Sequence, residues 1–157
     1  MRCTAFLLLL LLPIAGRAQP QEKYCNDRFG FCLLYPEGFF DRVDPSDNAD
    51  GLRFFADEQG IEVSVSGSNN VLQWTPEEIG ELEKEVVMED YGQVESATEK
   101  RGDNFFEYRF EVDGAQHLHR IYHRVDEIVF LRIRTQVTTD DATFNRLAEQ
   151  LVVQFEP

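Results

Sequence analysis

Residues 105–135 constrain the fold of this chain most tightly. They read FFEYRFEV-DG-AQHLHRIYHRV-DE-IVFLRIRT, three apolar-rich segments divided by two short polar breaks. A two-residue type I′ turn needs positive φ at both central positions, and Asp113-Gly114 tolerates that. The stretch predicts a three-stranded antiparallel meander.

Turn chemistry also sets which side chains share a face. With Asp113-Gly114 as a two-residue turn, Phe110 lies opposite His117, Tyr108 opposite His119 and Phe106 opposite Ile121, and opposed residues point the same way. The other face holds Glu107, Arg109 and Glu111 with Leu118, Arg120 and Tyr122. A second two-residue turn at Asp126-Glu127 adds Val129, Leu131 and Ile133 to that side. It puts Ile128, Phe130, Arg132 and Arg134 on the first. Neither face is purely apolar or purely polar. A sheet with one wet side alternates cleanly, so this pattern predicts partial cover on both sides, with helices above and below.

The chain start reads differently from the rest. Arg2 precedes an unbroken apolar run, Phe6 to Leu12, and Gly16-Arg17-Ala18 supplies small residues for cleavage after Ala18. Residues 1–18 are expected to be a secretory signal peptide, 19–27 a flexible polar leader, and 28–157 a single domain. The apolar run falls short of the ~20 residues a membrane span requires, so no membrane insertion is expected after signal removal. Export to a periplasmic or extracellular space is oxidising, and the remaining cysteine pair, Cys25 and Cys32, reads as a disulfide there. The formal net charge of −14 argues against nucleic acid or an anionic membrane as partner, since both demand clustered positive charge.

Coarse elements follow from periodicity. Phe29, Phe31, Leu33 and Tyr35 alternate as a strand stopped by Pro36, and residues 41–50 read as loop. Leu52–Ala56 and Ile61–Ser66 read as a hairpin. Thr75-Pro76-Glu77-Glu78 combines a capping box with Pro at N1 and opens a helix ending near Tyr91-Gly92, with Ile79, Leu82, Val86 and Val87 as its apolar face. Val94–Glu99 reads as a short strand. Thr139 or Asp140 caps a last helix whose stripe runs through Phe144, Leu147, Ala148, Leu151, Val152 and Phe155. The fold class is α+β: a central antiparallel sheet of about six to seven strands with helices on both faces.

FGFCLLYPEGF, then DGLRFFADEQGIEVSVSG, then a capped helix, a meander and a terminal amphipathic helix resemble the Mog1/PsbP-like α/β/α sandwich and the small exported bacterial proteins of PsbP-like and DcrB-like kind. The resemblance implies a non-enzymatic accessory or binding protein. It transfers no catalytic residue.

Few side chains suggest chemistry. His117, His119 and His123 share a parity, and the nearer pair, His117 and His119, could chelate a metal with an added carboxylate. Along a strand His117 and His123 stand ~20 Å apart, which keeps all three from one ion. The competing reading packs His117 and His119 against Phe110 and Tyr108. Arginines crowd the meander: Arg132 and Arg134 on one face are candidates for an anionic ligand, and Arg109, Arg120 and Arg124 lie on the other. The alternative is ion pairing with Glu107, Glu111, Asp126 and Glu127. No nucleophile elbow and no phosphate loop occur, and no cofactor is expected. The sequence thus reads as a non-enzymatic exported protein that binds a protein partner, with a small-ligand or metal-binding domain on the meander as the alternative.

Overall fold

In a computed structural model, which describes residues 19–156, Asp113 and Gly114 take φ of 50° and 76°. That turn joins β7 (Phe105–Val112) to β8 (Ala115–His123) in the expected register, Phe110 with His117, Tyr108 with His119 and Phe106 with Ile121. The second turn differs slightly. Arg124 and Glu127 exchange backbone hydrogen bonds around Val125-Asp126, so β9 (Glu127–Thr135) pairs His123 with Ile128. The shift is two residues in register, so side-chain parity survives and Val129, Leu131 and Ile133 keep their expected face. The expected signal peptide lies outside the described residues.

The remaining strands build two antiparallel sheets. The larger has seven strands in the order β3-β4-β5-β9-β8-β7-β6, where β3 is Arg42–Pro45, β4 Gly51–Ala56, β5 Ile61–Asn69 and β6 Ser96–Arg101. The smaller is β1 (Gln21–Asn26), β2 (Phe31–Pro36) and β10 (Val152–Phe155). Helix α1 (Pro76–Tyr91) covers the β7–β8 part of one face of the large sheet, burying Ile79 and Val87 against Phe106, Tyr108, Phe110, Ile121 and Ile128. Helix α2 (Asp141–Gln150) and the small sheet cover the other face, where Phe31, Leu33, Phe144, Leu147 and Val153 join Val63, Val65, Leu118, Leu131 and Ile133 in the main core. Both faces of the sheet are therefore partly covered, as its mixed patterning demands.

Five segments depart from the sequence reading. Residues 19–27 are not a free leader, because Gln21–Asn26 pair along β2. The strand beginning at Phe31 lies in the small sheet rather than the central one. Residues 41–50 contain β3, and the short strand after α1 is Ser96–Arg101. The last helix stops at Gln150, and Val152–Phe155 form β10 on the free edge of β2. An open strand edge supplies partners for four backbone residues whose β-branched valines suit a pleat better than a helix. The helical spacing of Leu151 and Phe155 carries no information about that edge.

Cys25 and Cys32 stand directly opposite each other in the β1–β2 hairpin and are joined by a disulfide. Asn26 closes the intervening turn, its Oδ1 accepting from the backbone N–H of Arg28 at 3.1 Å and of Phe29 at 3.3 Å. Since β1 has only β2 for a neighbour, the bond restricts an edge strand. Replacing both cysteines by serine is expected to lower stability by about 2 kcal/mol on the chain-entropy argument. Thermal unfolding with and without reductant checks this: reductant should move the wild type onto the variant and leave the variant unchanged.

Candidate functional site

The capping box forms as read, with Thr75 Oγ1 accepting from Glu78 N–H at 3.3 Å and Glu78 Oε2 accepting from Thr75 N–H at 2.8 Å. Its buried stripe is rotated from the expected one. Ile79, Glu83 and Val87 face the sheet, while Leu82 and Val86 are exposed. Gly80 allows the close approach, since a Cβ there would meet the Phe106 ring at 2.9 Å. One glutamate thus enters the apolar contact between α1 and the sheet, and the sheet is prepared for it.

Rows of cross-strand partners explain how. On the α1 face one row reads Tyr108, His119, Arg132, Ser64 across β7, β8, β9 and β5. Glu83 is inserted between its imidazole and its guanidinium. Its Oε1 lies 2.7 Å from His119 Nδ1, and Arg132 forks the carboxylate at 2.9 and 3.1 Å. Burial alone would raise the Glu83 carboxyl; the His119 hydrogen bond and the Arg132 charge outweigh it and hold it below its ordinary value. Glu83 thus serves as an internal anion ligand that fastens the helix to the sheet.

The adjacent row, two residues along each strand, reads Phe110, His117, Arg134, Glu62. His117 stacks on Phe110 with centroids 4.8 Å apart and meets the Tyr91 ring edge-on at 5.0 Å. It is 3% exposed. Burial first, then the neighbouring His119 and Arg134, lower its pKa to about 4, so the ring is neutral near pH 7. Arg134 is exposed and makes no ion pair among the described residues. Both border an open cavity of about 560 Å³ walled also by Phe55, Tyr91, Val112 and Val137.

His123, the third histidine, sits apart. Its Nε2 lies 3.2 Å from Asn70 Nδ2. His117 and His119 share a face as expected, but His119 Nδ1 is engaged by Glu83 and His117 is packed between rings. Among the described residues, the group with metal-ligand proximity is Cys25, Cys32 and Glu156, and its sulfurs are already joined to each other.

The opposite face also buries a glutamate, but here the ion pairs lie within the sheet and α2 receives hydrogen bonds from their arginines. Glu107 is buried and takes Arg120 at 2.5 Å and Arg109 at 2.8 Å. Arg120 continues to the carbonyls of Ala148 and Leu151 at the end of α2, and Arg109 reaches Asn145 Oδ1 at 2.8 Å. Arg124 pairs with Glu127 and donates to the carbonyl of Glu156. Of the two arginines read as ligand candidates, Arg132 is occupied by Glu83 and Arg134 faces the cavity. Sequence reading missed Glu83. Its four-residue spacing from both Ile79 and Val87 was the available signal.

A second surface lies at the other end of the sheet. Asn70 is buried and donates from Nδ2 to the Trp74 carbonyl at 3.1 Å and the Val125 carbonyl at 3.4 Å, while its backbone N–H donates to the Asp126 carbonyl at 2.8 Å. It ties the loop after β5 to the β8–β9 turn. The tip so fixed displays Val71, Leu72 and Val125, which are 82%, 67% and 68% exposed. Trp74, half-buried, packs into the α1 contact rather than standing free.

No protein-family model matches the chain, and no curated protein matches it. Among solved structures the chain is similar to cyanobacterial PsbP (CyanoP) from Synechocystis sp. PCC 6803, with a TM-score of 0.55 and 17% identity over 92% of this chain and 99% of that one. Among the described residues no helix is long and apolar enough to cross a membrane. A seven-stranded antiparallel sheet clasped by α1 on one face and by α2 with a three-stranded sheet on the other is the PsbP-like fold, and this chain has it.

Proposed function

We propose that the protein is an exported, non-enzymatic accessory module that binds a protein partner through the tip formed by Val71, Leu72 and Val125. The carrying observation is the exposure of these three side chains on two loops that Asn70 holds together. Large apolar groups fixed in water mark interaction surfaces, and a preformed tip avoids the entropy of ordering a loop on contact. The formal charge of −14 suits an apolar socket with a basic rim and disfavours an anionic lipid surface. The PsbP-like fold and the Cys25–Cys32 disulfide support the accessory and exported parts of this reading. The buried ion pairs support it further, because Glu83, Glu107, Arg120 and Arg132 are spent on internal contacts.

Crosslinking in the native envelope fraction tests the proposal, with the wild type compared against a Leu72→Asp/Val125→Asp double variant. A partner captured by the wild type should then bind the variant at least ~30-fold more weakly, as loss of a central apolar anchor implies. Because both sites are exposed, thermal stability should stay within ~0.5 kcal/mol of wild type. Equal capture by both proteins would reject the tip as the contact.

A further inference from the structure

The two adjacent rows on the α1 face carry the same cross-strand pair, histidine on β8 beside arginine on β9. In one row, His119 and Arg132 hold the carboxylate of Glu83. In the other, His117 and Arg134 have no such group: α1 ends with Tyr91 above His117, and the cavity opens beyond. The molecule itself therefore shows what this pair of side chains accepts on this face.

We propose that the His117–Arg134 pair, with the cavity in front of it, is a binding site for the carboxylate of a small organic monoacid.

Four further observations define the ligand. His117 is 3% exposed, lines the cavity and has no hydrogen-bond partner among the described residues. A neutral imidazole carries one N–H to donate, and the aromatic packing on Phe110 and Tyr91 fixes its plane. Arg134 offers a fork that fits a planar carboxylate at two points. Phe55, Tyr91, Val112 and Val137 give apolar walls, and about 560 Å³ lies within the range of small-molecule sites. Asp57, Glu62 and Asp113 line the same space, with Glu62 flanking Arg134 across the strand pair. They repel a doubly charged anion more than a singly charged one. That selects a carboxylate with a hydrocarbon body over phosphate or a diacid. The site stands at the end of the sheet away from the apolar tip, so it goes beyond the proposed partner contact and does not depend on it.

The test is an NMR titration of the purified protein with 3-phenylpropionate, following the His117 imidazole and neighbouring amides. 3-Phenylpropionamide, succinate and inorganic phosphate are titrated in parallel. The acid should shift the His117 signals saturably, and the neutral amide should bind roughly tenfold more weakly or less, as loss of a charge-assisted fork implies. Succinate and phosphate should bind more weakly than the monoacid. Arg134→Met should reduce acid binding by roughly the same factor while keeping the wild-type amide spectrum, since the side chain is exposed. His117→Phe preserves the aromatic stack and should also weaken binding. Absence of a saturable shift at ~10 mM acid, weaker than the millimolar range of a minimal site, overturns the proposal. So does equal binding of acid and amide, or an acid affinity unchanged in Arg134→Met. Tighter binding of phosphate or succinate overturns the choice of ligand class.

Discussion

Replacing Arg120 with methionine should destabilise the protein by about 3–5 kcal/mol, the range for breaking a buried ion pair from one side. Arg120 lies beneath α2 with its side chain 13% exposed, holding Glu107 Oε2 through Nε at 2.6 Å. It also donates to the carbonyls of Ala148 at 3.2 Å and Leu151 at 3.3 Å. Methionine fills comparable volume but donates nothing. Glu107 would keep only Arg109, and two carbonyls at the end of α2 would lose their donor. Burial raises the Glu107 carboxyl, and the charges and hydrogen bonds of Arg120 and Arg109 bring it below its ordinary value, so its ionised form depends on these partners. Urea unfolding at neutral pH provides the measurement. Arg109→Met is the control, with an expected loss nearer 1–2 kcal/mol because Arg109 is 31% exposed and its removal leaves Arg120 in place. The double variant Glu107→Leu/Arg120→Met should recover most of the loss, since an apolar pair of similar volume incurs no charge desolvation. A loss below ~1 kcal/mol in Arg120→Met, typical of exposed ion pairs, would show that the buried pair does not hold α2 to the sheet.

The same two glutamates mark the boundary between what the sequence disclosed and what it did not. Glu107 was readable as a partner of Arg120 because both lie in strands, where parity from one firm turn assigns faces several residues away. Even the displaced β8–β9 turn left that assignment intact, because the register moved by an even number. Glu83 was harder to place. In a helix rich in acids, Leu82 and Val86 compete with Glu83 and Val87 for the buried stripe, and the choice depends on what waits on the sheet. Gly80 and the Arg132–His119 pair decide it, and both act only once the layers meet. Pairing of residues 19–27 was hidden for a similar reason: an edge strand with one neighbour can keep a polar outward surface. Short apolar runs such as 151–155 suit helix and strand alike until a free edge chooses between them. The open Arg134–His117 pair could be placed on one face from parity alone. That it is open depends on where α1 stops and on Tyr91 lying above the ring.

Acidification should show the neutrality of His117 as a loss of stability in a defined range. The ordinary imidazole value is 6.5 and the folded value about 4. Above pH ~6.5 both folded and unfolded chains carry the neutral ring, and its contribution is fully present. As pH falls from ~6.5 towards ~4, the unfolded chain takes up a proton that the folded chain refuses, so stability falls with decreasing pH. At 1.36 kcal/mol for each pH unit the full loss is about 3 kcal/mol, of which about 2 should appear between pH 6.5 and 5. The depressed carboxyls of Glu83 and Glu107 act in the same direction but at lower pH. Their stabilising effect is present above the ordinary carboxylate value of 4.5 and is lost as pH falls through their folded values. The upper part of the range therefore reports on His117. His117→Phe, which keeps the stack on Phe110 and Tyr91, should flatten the profile between pH 6.5 and 5 and leave the acid limb below it. Urea unfolding at half-unit steps measures the profile, and the ring proton shifts of His117 should titrate near pH 4. Titration near pH 6.5 would mean that the ring reaches water, and the packed, neutral donor on which the carboxylate site relies would not exist.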